Sequence, residues 1–320
     1  MENMPEMEEL LIHRGAQALK AGNLVAFPTE TVYGLGADAT NAQAIKKIYT
    51  IKNRPENHPL IVHISSLKQL QNWAIEIPEY AKKLAIDFWP GPLTLILIRS
   101  SLAKDFVTGS QISVGLRVPS HKIAQSLLKR FEKIGGYGIA APSANKFGAV
   151  SPTSAGAVAQ ELGDLFTSSD LLLDGGNCDV GIESTIVDCT GNFPKVLRPG
   201  FITTDMIEQS TKLNVAIRGL ESCERVSGSF KSHYSPSAKV VLNGSAQIGD
   251  GFIALSFQPT PAGAIRLAAP NNVEDFAREI YSAFRSADQL RLRKIVVLEP
   301  AGEGVAAAIR DRLTKAAHGN

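Results

Sequence analysis

Lys52-Asn53-Arg54-Pro55 sets two cations within three residues and closes them with a proline. The stretch before them, Asn41 to Lys52, predicts a short helix, because Ala44, Ile45, Ile48 and Tyr49 recur at helical spacing on one face. Lys52 follows Ile48 by four residues and shares that apolar stripe. An ammonium turned inward is costly unless it meets an anion, and this helix carries no carboxylate. Pro55 biases Arg54 away from helical geometry, so its guanidinium can fork toward the same place. Two such groups suit a phosphate. The competing reading is a solvated helix end whose cations face the helix dipole.

Other polar clusters follow apolar runs. Pro28-Thr29-Glu30-Thr31-Val32-Tyr33-Gly34-Leu35-Gly36 comes after Val25-Ala26-Phe27 and has the hydroxyls and glycines of a loop that a ligand can approach closely. Pro59 to Ile64 reads as a strand that is apolar except for His63. Ser143-Ala144-Asn145 follows Ile139 to Pro142, with Ser151-Pro152-Thr153 expected to cap a helix from Ser154 to Leu162. Asp174-Gly175-Gly176, the run Gly181 to Asp188, and Arg198-Pro199-Gly200 complete a set of polar strand ends. Each cluster alone reads equally as an ordinary loop, and a lone strand histidine as a satisfied core residue. Their common placement points to one site at the ends of one sheet.

The elements that must position these residues alternate. Helices are expected over Glu8 to Ala21, Leu67 to Ala74, Pro78 to Phe88 and His121 to Phe131. Strands are expected at Leu93 to Ile98 and Ile112 to Val118, the latter with Arg117 among apolar neighbours. This is an α/β chain with a twisted, mixed sheet. Thr203 to Thr211 is a last helix of the first domain, placed at residues 1–215. Residues 216–238 form a glycine- and serine-rich linker ending in His233-Tyr234-Ser235-Pro236. Residues 239–320 alternate again: Val240 to Leu242, Phe252 to Phe257, a helix from Val273 to Phe284, Ile295 to Leu298, and a helix from Val305 to Ala316. That pattern reads as a second, smaller Rossmann-like α/β domain. Its Gly302-Glu303-Gly304 lacks the third glycine of a dinucleotide fingerprint, so no nucleotide is expected there.

Composition narrows the class. The chain has 320 residues, 44% of them hydrophobic, and a formal net charge of +2, which disfavours a general polyanion binder. No apolar run approaches the roughly 20 residues that span a bilayer, and the acidic start lacks the features of a signal peptide. Cys178, Cys189 and Cys223 are odd in number and show no C-x-x-C pairing, so a disulfide framework or a zinc site is not expected. A cytoplasmic setting fits, with no membrane and no DNA as partners.

The Lys-x-Arg of Lys52 and Arg54, the Ser-x-Asn of Ser143 and Asn145, and the Pro-Thr-Glu-Thr-Val-Tyr-Gly-Leu run together resemble the signature of the YrdC/YwlC family, in its two-domain threonylcarbamoyl-AMP synthase form. The likeness is dense from Leu10 to about Phe201. It implies a nucleotidyltransferase that joins L-threonine, bicarbonate or carbon dioxide, and ATP, with magnesium, into L-threonylcarbamoyladenylate and pyrophosphate. It also implies that a tRNA threonylcarbamoyl transferase complex consumes the product, so that tRNA is an indirect partner.

Carried over by position, Lys52, Arg54, Ser143 and Asn145 would be the catalytic tetrad that holds the triphosphate. His58, Ser113, Arg198 and Tyr234 resemble further ATP contacts. Thr31, His63, Arg117, Ala141 and Ser184 would form the threonine pocket, with Arg117 forked onto the carboxylate. No metal ligand is assigned directly. The linker is expected to cross the mouth of the site, although Ser232 stands where the family often has arginine. For Arg117 and Arg198 the competing reading is an ion pair with Glu30, Glu183 or Asp188. An RNA-binding or ribosome-associated module without adenylation activity is the alternative function. A carbamoyl-transfer partner in hydrogenase maturation would want zinc-finger and acylphosphatase segments that are missing here.

Overall fold

The computed structural model describes residues 6–217, 226 and 233–319. Residues 218–225 and 227–232, most of the expected linker, and Cys223 with them, lie outside the described residues. The first sheet has ten strands: β1 (Val25–Phe27), β2 (Gly34–Asp38), β3 (Ile61–His63), β4 (Leu93–Ile98), β5 (Ser113–Arg117), β6 (Ile139–Ala140), β7 (Leu171–Leu172), β8 (Thr185–Asp188), β9 (Lys195–Arg198) and β10 (Ala216–Ile217). Their spatial order is β10-β9-β8-β4-β5-β3-β6-β2-β1-β7, with parallel and antiparallel pairs interspersed, as the alternating sequence pattern leads one to expect. Ala216 and Ile217, at the head of the stretch read as linker, pair with β9 as the edge strand.

Among the described residues, eight α-helices accompany this sheet: α1 (Glu6–Lys20), α2 (Ala42–Lys52), α3 (Leu70–Trp73), α4 (Glu79–Phe88), α5 (Asp105–Thr108), α6 (Lys122–Lys133), α7 (Ala155–Leu162) and α8 (Thr204–Thr211). One sheet face carries Leu35, Val62, Leu95, Leu116 and Val187 into a core shared with Ile45 and Ile48 of α2 and Leu84 of α4. On the other face, α1 and α6 cover Val25, Phe27 and Ile139 through Leu19, Leu127 and Phe131. They do not reach the middle strands, and the cavity described below lies there.

The second sheet is parallel throughout, in the order β11-β14-β12-β13: β11 (Lys239–Leu242), β12 (Gly251–Ile253), β13 (Ile265–Ala268) and β14 (Lys294–Val297). The helices α9 (Val273–Gln289) and α10 (Val305–Ala317) pack on it. The fold is therefore the mixed-sheet domain with a smaller α/β domain read from the pattern. Four local expectations need correction. β13 was not foreseen, because Ile265-Arg266-Leu267-Ala268 is short and interrupted by a charge whose guanidinium turns to bond the carbonyls of Ala254, Leu255 and Ala268. The strand expected through Phe257 ends at Ile253, and α9 runs on to Gln289 rather than Phe284. Ser154, not the Ser151-Pro152-Thr153 run, caps α7 through its side chain.

The two domains share apolar surface. Val32, Val150 and Ile182 of the first pack into the core of the second, beside Tyr234, Ile280 and Tyr281.

Candidate active site

Sequence places Lys52 and Arg54 by local means. The Asn41 side chain accepts from the backbone N–H of Gln43 and Ala44, fixing the start of α2. The helix ends where Asn53 turns left-handed, at φ 51° and ψ 44°, a conformation that asparagine tolerates better than most residues. Lys52 is therefore the last helical residue, on the buried stripe, and is only 1% exposed. Its Nζ donates to the carbonyl oxygens of Ser143, at 2.6 Å, and of Asn145, while the Lys52 carbonyl accepts from the Phe147 N–H at 2.8 Å. The cation thus meets carbonyl dipoles of the Ser-x-Asn loop rather than an acid. Burial, with Arg54 nearby, pulls its pKa well below the ordinary lysine range. Arg54, also buried, donates to the Pro59 carbonyl at 3.0 Å and lies 5.6 Å from the Phe147 ring centre.

These groups open onto a cavity with about 630 Å³ of empty space, its open mouth included. Ile61 and His63 alternate with Val62 along β3, so both face the cavity while Val62 faces the core. Arg117 stands opposite His63 in the parallel register of β3 and β5, and Ala141, whose N–H meets the Ile61 carbonyl, lies alongside. The site therefore lies across one face of the sheet. It gathers at strand ends as expected: His63, Arg117 and Arg198 close β3, β5 and β9, Ala141 follows β6 and Ser184 precedes β8, while period-two alternation decides which of these side chains face the cavity.

Of the sequence-derived candidates, Lys52, Arg54, Ser143, Asn145, Arg198, Tyr234, Thr31, His63, Arg117, Ala141 and Ser184 all line the cavity. His58 and Ser113 do not belong to its lining. His58 is buried beside the Phe147 ring, and Ser113 opens β5 at the strand end away from Arg117.

Arg117 has an acid of its own: Nη2 lies 2.9 Å from Glu30 Oε1, and Nε donates to the Gly91 carbonyl. This was the competing reading for that residue, and any carboxylate arriving at Arg117 shares the guanidinium with Glu30. Arg198 instead donates to the backbone and hydroxyl oxygens of Ser184, at 3.0 and 3.1 Å, and Ser184 Oγ lies 2.8 Å from Thr94 Oγ1. Glu183 is the lining residue that pattern reasoning saw only as an ion-pair partner. Burial pushes its carboxyl up, but Arg312 and Arg198 outweigh that and hold it near 2.

Among the described residues, four cations against one carboxylate line the cavity, and several buried polar atoms there lack a hydrogen-bond partner: Asn145 Oδ1, His63 Nδ1, His233 Nδ1 and Tyr234 Oη. Groups left this way cost stability unless a ligand or water meets them. Burial, together with Arg117 for His63, pushes both histidines down to about 3, so both rings are neutral at physiological pH. Among the described residues no three His, Cys, Asp or Glu converge into a cation cage. A hard divalent ion held chiefly by substrate phosphates needs none, and Asn145 Oδ1, a buried neutral oxygen with no partner, suits it.

The Sua5/YciO/YrdC family model, described as "Telomere recombination", matches residues 17–200. The Sua5 C-terminal model, described as "Threonylcarbamoyl-AMP synthase, C-terminal domain", matches residues 202–318. The threonylcarbamoyl-AMP synthase of Pyrococcus abyssi is 36% identical over 97% of this chain and 95% of its own length. That of Bacillus subtilis is 37% identical over 96% and 93%. The crystal structure of P. abyssi Sua5 complexed with L-threonine superposes with a TM-score of 0.87 at 34% identity, covering 99% of this chain and 96% of that one.

Proposed function

The chain belongs to the Sua5/YciO/YrdC family, and on that premise we propose that it is a threonylcarbamoyl-AMP synthase, converting L-threonine, bicarbonate or carbon dioxide, and ATP into L-threonylcarbamoyladenylate and pyrophosphate. The observation that carries the reading is the cavity itself: four cationic side chains and a set of unmet buried polar atoms on one sheet face.

The chemistry has two bond-forming steps. Bicarbonate gives carbon dioxide by taking up a proton and losing water; the neutral threonine amine attacks it, the C–N bond forming as a C=O π bond opens, and the amine proton is released to solvent to leave a carbamate. A carbamate oxygen then attacks the α-phosphorus while the bond to the β-phosphate oxygen breaks and pyrophosphate leaves. Little covalent help is needed from the protein, so positioning and neutralisation of charge carry the rate. In this reading Lys52 and Arg54 hold phosphate oxygens. Ser143 and Asn145 close the other side, where Asn145 Oδ1 would hold the magnesium that accompanies ATP. Magnesium, when bound, supplies further neutralisation of the triphosphate. Thr31, His63, Ala141, Ser184 and Arg117 line the amino-acid end, the neutral His63 being able to donate or accept a hydrogen bond without adding charge. Arg198 and Tyr234 face the nucleotide. The mixed anhydride formed suits transfer of its threonylcarbamoyl group onto tRNA adenosine by a downstream transferase. A cytoplasmic setting supplies these substrates, and among the described residues no helix is long and apolar enough to cross a membrane.

Pyrophosphate release from ATP, measured with threonine, serine or no amino acid, and with bicarbonate supplied or stripped, tests the reading. Release that requires both threonine and bicarbonate is expected. Release indifferent to both would overturn it.

A further inference from the structure

Glu183 is buried in the cavity wall, yet the groups that fix it come largely from the other domain. Its Oε2 accepts from Tyr281 Oη of α9 and from Arg312 Nε of α10, each at 2.9 Å. Its Oε1 accepts from Ser151 Oγ at 2.6 Å. Arg312 is fully buried, and its Nη2 reaches the Pro199 carbonyl at 2.9 Å, immediately after Arg198. Its guanidinium lies 5.4 Å from the centre of the Tyr234 ring, and Tyr234 in turn stacks on Tyr281 at 5.7 Å and 27°.

The backbone agrees with the side chains. Gly181, at φ +81°, lies so close to α9 that a Cβ there would be 2.4 Å from Arg278 Cα. Only glycine suits both that conformation and that approach. The loop bearing Glu183 and Ser184 is thus pressed directly against the second domain.

A buried ion pair is weak evidence of stability, since well-packed apolar residues of similar volume often serve as well. Here the pair sits in the wall of a reaction cavity and grips one end of the Glu183-Ser184 segment, whose other side-chain contacts run to Ser151, Thr94 and Arg198. We propose that Arg312 and Tyr281 are positioning residues through which the second domain holds Glu183, Ser184 and the Tyr234 ring in register around the substrates. Neither needs to touch a substrate. This rests on the synthase reading for the identity of the reaction, though not for the contacts themselves.

The groups that face Glu183 are Arg312 from α10, Tyr281 from α9, Arg198 from β9, and His233 and Tyr234 from the segment before β11. Removing Arg312 leaves burial, which favours the protonated acid, opposed chiefly by Arg198. An acid limb absent from the wild type is therefore expected in the rate profile.

The test uses the full chain carrying Arg312→Gln, Arg312→Lys or Tyr281→Phe, with kcat and KM for threonine and ATP measured from pH 5 to 9, and near- and far-ultraviolet circular dichroism recorded on the same samples. Arg312→Gln is expected to lower kcat about 100-fold, the scale of a small misplacement of reacting groups, and to show rate loss on the acid side. It should also lose the near-ultraviolet tyrosine signal of the Tyr234–Tyr281 stack while keeping its far-ultraviolet spectrum. Arg312→Lys keeps the charge without the fork, and should suppress the acid limb and recover about tenfold of the loss. Tyr281→Phe should lower kcat roughly fivefold, as one hydrogen bond to a charged group is removed. An unchanged kcat, acid limb and near-ultraviolet spectrum in folded Arg312→Gln would overturn the proposal. If that variant does not fold, an unchanged kcat in Tyr281→Phe overturns it. Wild-type enzyme without threonine-dependent pyrophosphate release would refute the synthase reading instead, and the tyrosine spectra would still decide the positioning claim.

Discussion

Replacing Lys52 with methionine separates a residue kept for chemistry from one kept for stability. The substitution strands the Ser143 and Asn145 carbonyls that Nζ now meets. At about 1–3 kcal/mol for each orphaned acceptor, this costs roughly 2–6 kcal/mol. Against that, the wild-type fold buries an ammonium to 1% exposure, a penalty of several kcal/mol that methionine, similar in length, removes. The two effects nearly offset, so Lys52→Met should unfold within about 2 kcal/mol of the wild type at pH 7. The sign with pH follows from the depressed lysine pKa. The wild-type penalty is fully present below the folded pKa and fades as pH rises toward 10.5, the ordinary lysine value. The variant's relative standing should therefore decline between pH 7 and pH 10. Activity should behave differently, because loss of one preorganised charge on a transferring phosphate costs about 100- to 1,000-fold in kcat. Urea unfolding at both pH values and threonine-dependent pyrophosphate release measure the two quantities. Near-normal turnover would sink the phosphate role. A loss of stability beyond about 4 kcal/mol would mark Lys52 as a structural residue and refute the offset.

Asn145→Ala removes the unmet Oδ1 and also two hydrogen bonds from Nδ2 to the Lys146 and Ala149 carbonyls. The half-saturating magnesium concentration should rise about tenfold, as expected for loss of one oxygen ligand, and a magnesium titration of pyrophosphate release showing no shift would count against that placement. His63 is neutral in the fold, its pKa pushed down to about 3 by burial and by Arg117, whereas the unfolded residue titrates near 6.5. A buried imidazole of this kind leaves stability intact above pH 6.5 and drains it as pH falls toward 3, by about 4 kcal/mol over that window. His63→Phe should flatten this part of the acid unfolding curve, and equal slopes for wild type and variant would exclude the mechanism.

Much of the machinery was legible in the chain because it is local. The stripe of α2, its asparagine cap and Pro55 fix where Lys52 and Arg54 stand, and short-range sterics decide each of these. The continuous apolar run of β4 and the alternation after Lys239 announced the sheets for the same reason. The Ser143-Ala144-Asn145 loop was visible as a polar turn after an apolar strand, and the resemblance joined it to Lys52 across 91 residues.

The tertiary structure alone decided what depends on packing between distant segments. Strand register put His63 opposite Arg117 and decided which face of the sheet those strand ends turn toward the cavity. It brought Glu30 onto Arg117, which nothing in the spacing of residues 30 and 117 distinguishes from the other acids available. It also drove Arg312, an ordinary helix residue by its sequence, into full burial against Glu183, 129 positions away. Periodicity tells which face of an element is apolar, but the partner of a buried charge is chosen by the fold, where desolvation makes only a well-met charge tolerable.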